Sequence, residues 1–367
     1  MYVERNLGAL CSRQQTIMAA HFTNFFSSQN RPGRDRRRAW LTLSGLAVFT
    51  LVSFLAACLV GSVSLNISDI WVAIQALMKG ERDGLASTLL MLRATRAMTA
   101  FTTGAGLALA GVIMQALLRN PLADPYVLGV SGGAAVGALA AMLAGGTLWL
   151  VDVSAFGGAV AISAVLFFLV RRDFEGMSAN NSGSSLLLTG VILATGCGAL
   201  ITLMLSVASE AQLRGMVFWM IGDLSSGQSR WLPWLSLGLI LVIGVRFARD
   251  MNLLAQHAEN AMTLGVPVGL LKKVMFVSAA LLTATAVTVA GSIGFVGLIV
   301  PHACRYAFGV DHRLLLPASV MAGGGFLVIA DTLARTIMAP QQLPVGVVTA
   351  LIGVPIFLLQ MHHRGRP

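Results

Sequence analysis

Gln115-Ala-Leu-Leu-Arg-Asn-Pro-Leu-Ala-Asp-Pro-Tyr-Val-Leu-Gly-Val-Ser-Gly-Gly-Ala134 is a polar, proline-punctuated turn between two apolar runs. A residue preceding proline is pushed out of the α region, so Arg119 and Asn120 end one helix before Pro121, and Pro125 keeps the connection short and stiff. The chain re-enters an apolar run at once, and the stretch reads as a membrane hairpin. Gly129, Gly132, Gly133 and Gly137 remove side-chain bulk where the next helix begins, and Gly133 with Gly137 has the GxxxG spacing that lets a neighbouring backbone approach. Such small-residue faces serve ordinary packing in any membrane bundle, so they speak to architecture first.

Working outward, the chain has 367 residues, of which 56% are hydrophobic and 11% charged, with a mean hydropathy of +0.79. That is too little polar surface to coat a soluble globule of this size, and an all-α polytopic membrane protein is expected. The net charge of +10 does not mark a nucleic-acid binder, because the arginines are scattered at the ends of apolar runs, as the positive-inside rule produces. Cys11, Cys58, Cys197 and Cys304 show no CxxC spacing, and no disulfide or metal site follows.

A helix needs roughly 20 apolar residues to cross a bilayer. About ten spans are expected on that ruler, near 39–61, 95–118, 127–145, 149–171, 186–207, 231–247, 273–290, 295–308, 315–335 and 344–361. The segment 295–308 is too short to cross unaided and needs shielding by protein. Residues 1–38 are polar and rich in arginine, and are expected as a disordered cytoplasmic tail before a single membrane domain, 39–367. No small-residue cleavage site follows the charged flank of the first span, which reads as an uncleaved anchor. With the tail inside, Arg119, Arg171, Arg172, Arg246, Arg249, Lys272, Lys273, Arg313, Arg364 and Arg366 fall on the cytoplasmic side, and so do both termini. Arg93, Arg96, Arg214, Arg230 and Arg335 fall outside, against that rule. Two amphipathic stretches, 67–77 and 213–222, are expected on the outer face.

The chain lacks the G-x-x-x-x-G-K-[ST] phosphate cradle, since none of Lys79, Lys272 and Lys273 follows a glycine. An ion-coupled carrier acting alone is the alternative, and it needs titratable groups within the bilayer. Asp331 is expected to be the only titratable group inside an apolar run, and Arg335 one turn on suits a local ion pair better than a proton path. A membrane-embedded protease would need a Ser/His or paired-Asp set, and neither Ser131 nor Asp331 has a convincing partner. His302, His312 and the seventeen methionines do not make a haem site: both histidines read as structural, and methionine is common in membrane cores.

The opening stretch, the block Gly294-Phe-Val-Gly-Leu-Ile-Val-Pro-His302 with Arg305, and the block Leu343-Pro-Val-Gly-Val-Val-Thr-Ala350 with Gly353 and Pro355 occur in that order. Together they resemble the permease subunits of the ABC importers for iron-siderophores, haem and vitamin B12, from about Arg93 to the end. The resemblance implies a type II importer permease fold in a bacterial inner membrane, as a homodimer. It also implies two ATP-binding subunits inside and a periplasmic binding protein outside. The permease itself would have no catalytic activity and bind no cofactor; ATP and magnesium would sit on the partner subunit.

The same resemblance suggests roles for particular residues. Asn120, Pro121, Pro125, Gly129, Gly133, Pro301 and Pro344 belong to its structural motifs. The inner stretch 250–268 would be the coupling segment, with Asn252 able to cap its helix, Gly265 and Pro267 ending it, and Leu254, Ala258, Glu259, Leu264 and Gly265 as the expected ATPase contact. Arg93, Arg96 and Arg335 would pair with acidic groups on the binding protein, against a plain reading as snorkelling anchors. Thr189, Gly190, Thr195 and Gly198 are candidates for the path, with Asn180 and Ser182 at an inner gate, against a plain reading as small-residue packing.

Overall fold

The computed structural model describes residues 32–61, 63, 71, 72, 75, 84–175, 182–224, 231–256 and 258–364. By compactness the chain divides into residues 1–45 and 46–367. In the first unit residues 32–45 are helical, so helix begins inside the stretch expected as a disordered tail; the rest of that tail lies outside the described residues. The described residues form α1 (Pro32–Leu59), α2 (Leu85–Leu117), α3 (Val130–Leu143), α4 (Leu148–Glu175), α5 (Ser182–Val207), α6 (Glu210–Ile221), α7 (Trp231–Gln256), α8 (Ala258–Thr263), α9 (Val268–Ala290), α10 (Val296–Phe308), α11 (His312–Thr336) and α12 (Val345–Arg364). No strand occurs among the described residues.

Seven of these helices are long and apolar enough to cross a membrane: α1, α2, α4, α5, α7, α9 and α11. Val130–Leu143 and Val345–Leu359 are apolar but shorter, and α10 has 13 residues. All the expected spans are helical, with two boundaries corrected. α2 starts at Leu85, well before residue 95, and α7 runs on to Gln256 in place of ending near 247. In both cases charged residues lie within the helix. Hydropathy falls at a charge, but backbone hydrogen bonding does not. Of the two amphipathic stretches, 213–222 falls on α6, and 67–77 lies almost wholly outside the described residues.

Within residues 46–367, α2 is central and packs against α7, α9, α10 and α11. Lipid tails are as apolar as leucine, so close backbone approach replaces the hydrophobic effect as the glue between helices. Gly104 of α2 faces the backbone of Gly323 in α11, and Gly111 faces that of Gly297 in α10; a Cβ at either position would collide with a carbonyl oxygen. α3 and α4 join the same way, Gly133 against Gly158 and Gly137 against Ser154. The GxxxG face read from the sequence is therefore the α3–α4 contact.

α3 has 14 residues, about 21 Å, and cannot cross a core of about 30 Å alone; the same holds for α10. Both short helices start at polar turns that meet inside the bundle. The Tyr126 hydroxyl donates to Ile293 O and accepts from Ile293 N, each at 3.0 Å. Ser131 Oγ donates to Ser292 Oγ at 2.8 Å, and Gln115 Nε2 donates to Leu298 O at 3.2 Å. Non-helical backbone is tolerated at membrane depth only where protein satisfies it, and here each turn serves the other.

The opening stretch is thus more than a hairpin. α2 closes with Asn120 N donating to Gln115 O and Arg119 N to Ala116 O, a Schellman ending with Arg119 in the left-handed region at φ 49. Asn120 Oδ1 accepts from Leu122 N, and Asp124 Oδ1 accepts from Tyr126 N to cap the 3-10 turn Pro125–Leu128. Gly129 follows at φ 73 and leads directly into α3.

The bundle has two ends. Arg119 after α2, Arg171 and Arg172 in α4, Arg246 and Arg249 in α7 and Arg313 in α11 mark a basic end. At the far end lie the C-termini of α3, α9 and α11, the start of α4, and α6.

Candidate coupling and docking sites

At the basic end the segment after α7 is a short exposed helix. Ala258 and Ala261 of α8 are buried, as is Leu254 of α7 at 1% exposure. Glu259 and Gly265 are exposed, and Leu264 stands 66% exposed. Leu254 and Ala258 therefore do not form the contact surface expected of them: they fasten the segment to its own bundle. The outward face is Glu259, Met262 and Leu264. Gly265, at φ 81, ends α8 in a Schellman motif, with Gly265 N donating to Met262 O and Val266 N to Ala261 O.

Asn252 does not cap a helix, because α7 continues through it. Its amide instead spans to the start of α11. Asn252 Nδ2 donates to Asp311 Oδ1 at 2.7 Å, and Asn252 Oδ1 accepts from His312 N at 2.9 Å and lies 2.6 Å from His312 Nδ1. Asp311 Oδ1 also accepts from Arg313 N, the N-cap of α11. The sequence carries no signal for this clamp, since 59 residues separate its halves.

At the far end two expected docking residues point inward. Arg93, 6% exposed, donates to Cys58 O at 3.2 Å and Leu59 O at 3.0 Å, and also to Val63 O. Arg335, 6% exposed, donates to Ala57 O at 3.2 Å and pairs with Asp331 at 3.2 Å. These guanidinium groups cap the last carbonyls of α1, which have no intrahelical partner. They are neither snorkelling anchors nor free rim charges. Arg96 grips the same carboxylate in a two-nitrogen fork, Nε at 3.0 Å and Nη2 at 2.8 Å from Asp331 Oδ1, and its Nη1 donates to Gln342 Oε1. The Asp331–Arg335 pair is as the sequence suggested; Arg96 is its added partner, and it stays partly exposed.

Beside this cluster lies a cavity of about 720 Å³, lined by Asp152, Arg214, Phe218, Trp219, Asp223 and Gln342 among others. Arg214 is exposed, its guanidinium 5.8 Å from the centre of the Phe218 ring. Asp152 is a further carboxylate within an apolar helix, one that reading the chain for isolated charges overlooked. Pro344 also lines this cavity.

Of the path candidates, Gly190 is corrected. It is buried, and a Cβ there would collide with Val127 O, so it seats the 3-10 turn against α5. Thr189 and Gly198 are half-buried, with open space beyond Gly198, and Thr195 is exposed. Thr195 donates to Val191 O and Thr202 to Gly198 O, each at 2.9 Å, so these hydroxyls are satisfied within their own helix. Asn180 lies outside the described residues; Ser182 opens α5. Pro301 is buried inside α10. His302 packs edge-on to Phe357. Among the described residues no group of His, Cys, Asp and Glu could hold a metal ion.

The sequence profile of the FecCD transport family matches residues 49–363. The chain is 38% identical to the hemin transport system permease protein HmuU of Yersinia pestis over 331 residues, 87% of this chain and 94% of that one. It is 38% identical to the vitamin B12 import system permease protein BtuC of Klebsiella pneumoniae over 339 residues, 90% and 96% of the two chains. The solved structure of a metal-chelate type ABC transporter in an inward-facing conformation superposes with a TM-score of 0.74 at 29% identity, covering 88% of this chain and 99% of that one.

Proposed function

The chain belongs to the FecCD transport family, and from that membership we propose that it is the membrane subunit through which an ATP-driven importer moves a metal chelate into the cytoplasm. The cargo class is iron-siderophore, haem or cobalamin. The working unit is a homodimer in a bacterial inner membrane, with the basic end and both termini cytoplasmic. Two ATP-binding subunits seat on that end, and a periplasmic binding protein docks at the other. ATP and magnesium reside on the ATP-binding subunits, and this chain contributes no catalytic group.

The observation that carries this reading is the exposed face of α8. An apolar side chain as exposed as Leu264, in the turn that ends a short helix at the charged end of the bundle and close to the exposed Glu259, calls for a protein groove to cover it. Replacing Leu264 by Asp should leave the chain folded and abolish ATP-dependent uptake in reconstituted vesicles; unchanged uptake would remove α8 as the ATPase contact. At the other end the docking surface centres on Arg96 and Arg214, with Arg93 and Arg335 acting beneath it as supports. The outward face of α5, with Thr195, Gly198 and Thr202, suits the dimer path: its hydroxyls are already satisfied and would hold a passing chelate weakly. The rival reading, a carrier driven by an ion gradient alone, is poorly served by Asp331, whose carboxylate is already held by two arginines.

A further inference from the structure

The clamp at the basic end joins two parts of the chain that the importer mechanism must connect. α8 and the turn after it present Glu259, Met262 and Leu264 to the outside, and α8 packs on the end of α7, where Leu254, Ala258 and Ala261 are buried. Asn252, also on α7, is bonded by both ends of its amide to Asp311 and His312. α11 then runs across the bundle. Twenty residues separate Asp311 from Asp331, about 30 Å of helix. There Asp331 and Arg335 join Arg96 of α2 and Ala57 of α1. Along the way Gly104 and Gly323 hold α11 against α2 at backbone contact.

We infer that Asn252 is the positioning residue that fastens the partner-facing segment to the start of α11, so that α8 and α11 move as one body and displacement at the basic end is delivered to the ion cluster at the far end. A rigid helix passes a displacement along its length, whereas the loop Gly309–Asp311 would absorb it if left untied. An amide suits this position because its oxygen serves the His312 backbone and ring while its nitrogen serves Asp311, and neither Asp nor Leu can do both. A carboxylate at 252 would keep the first set and repel Asp311.

The inference rests on the importer reading and separates from it experimentally. In the reconstituted complex, with Cys11 replaced by Ser, spin labels at Asn260→Cys and Arg313→Cys report the distance between α8 and the start of α11. That distance should change by less than about 2 Å between nucleotide-free and ATP-bound states, the scale of an ordinary helix adjustment; a larger change overturns the inference. Asn252→Asp should lower chelate transported per ATP hydrolysed by about fivefold or more. The exchange Asn252→Asp with Asp311→Asn restores donor and acceptor and should restore the ratio. An unchanged ratio in the single variant, or no recovery in the folded double variant, overturns the inference while the importer reading stands. If the unsubstituted complex shows no ATP-driven uptake, both fall.

Discussion

At the scale of single residues, the arginines at the far end divide by burial. Arg93 holds carbonyls that would otherwise end α1 unsatisfied, so Arg93→Met should destabilise the purified protein by about 2–4 kcal/mol, the range for a buried charged group with several acceptors. Thermal unfolding in detergent checks this. The salt dependence of binding-protein association should not change, because Arg93 is not on the surface. A stable Arg93→Met protein with a slowed on-rate would return Arg93 to the docking face. Asp124 gives a pH prediction. Desolvation by burial pushes its carboxyl pKa up to about 6, against the opposing pull of the hydrogen bond from Tyr126 N. The unfolded value is about 3.9, so between the two the folded state binds more protons and stability falls as pH rises, levelling above about 6. The loss is about 3 kcal/mol, and Asp124→Asn should flatten it; an unfolding temperature with the same slope over this range in both proteins would contradict the assignment. Sequence alone ranked Arg93, Arg96 and Arg335 together, because all three stand near helix ends. Only the fold shows which of them meets the end of α1.

At the scale of elements, the helices were legible and their partners were not. Among the described residues, runs of apolar residues located each of the seven helices long and apolar enough to cross a membrane, and the shorter α10 as well. The GxxxG spacing in α3 named a packing face correctly, yet nothing local said that the face belongs to α4. Gly190 shows the limit: a glycine facing a path and a glycine against a carbonyl look alike in sequence, and Val127 decides between them. For the coupling segment, the Gly265–Pro267 stop was readable, but which side of a six-residue helix faces out depends on α7. Gly265→Val should cost about 1–2 kcal/mol at this ending, because a branched residue is strained at φ 81. The expected result is a lower transport-to-ATP ratio with normal assembly; full coupling in that variant would show that the ending of α8 is not needed.

At the scale of the whole molecule, the two short helices α3 and α10 start from turns that satisfy each other, and α2 and α11 tie the basic end to the far end. The membrane part offers no phosphate cradle of its own, and its clearest intramembrane carboxylate is paired with two arginines. On the proposed reading, movement of cargo is supplied by partners at both ends. The most direct test is uptake of a labelled metal chelate into sealed liposomes holding the purified chain, with and without its ATP-binding subunit, binding protein and ATP. Accumulation should occur only when all are present, whatever proton gradient is imposed. Accumulation by the chain alone under a proton gradient would contradict the account.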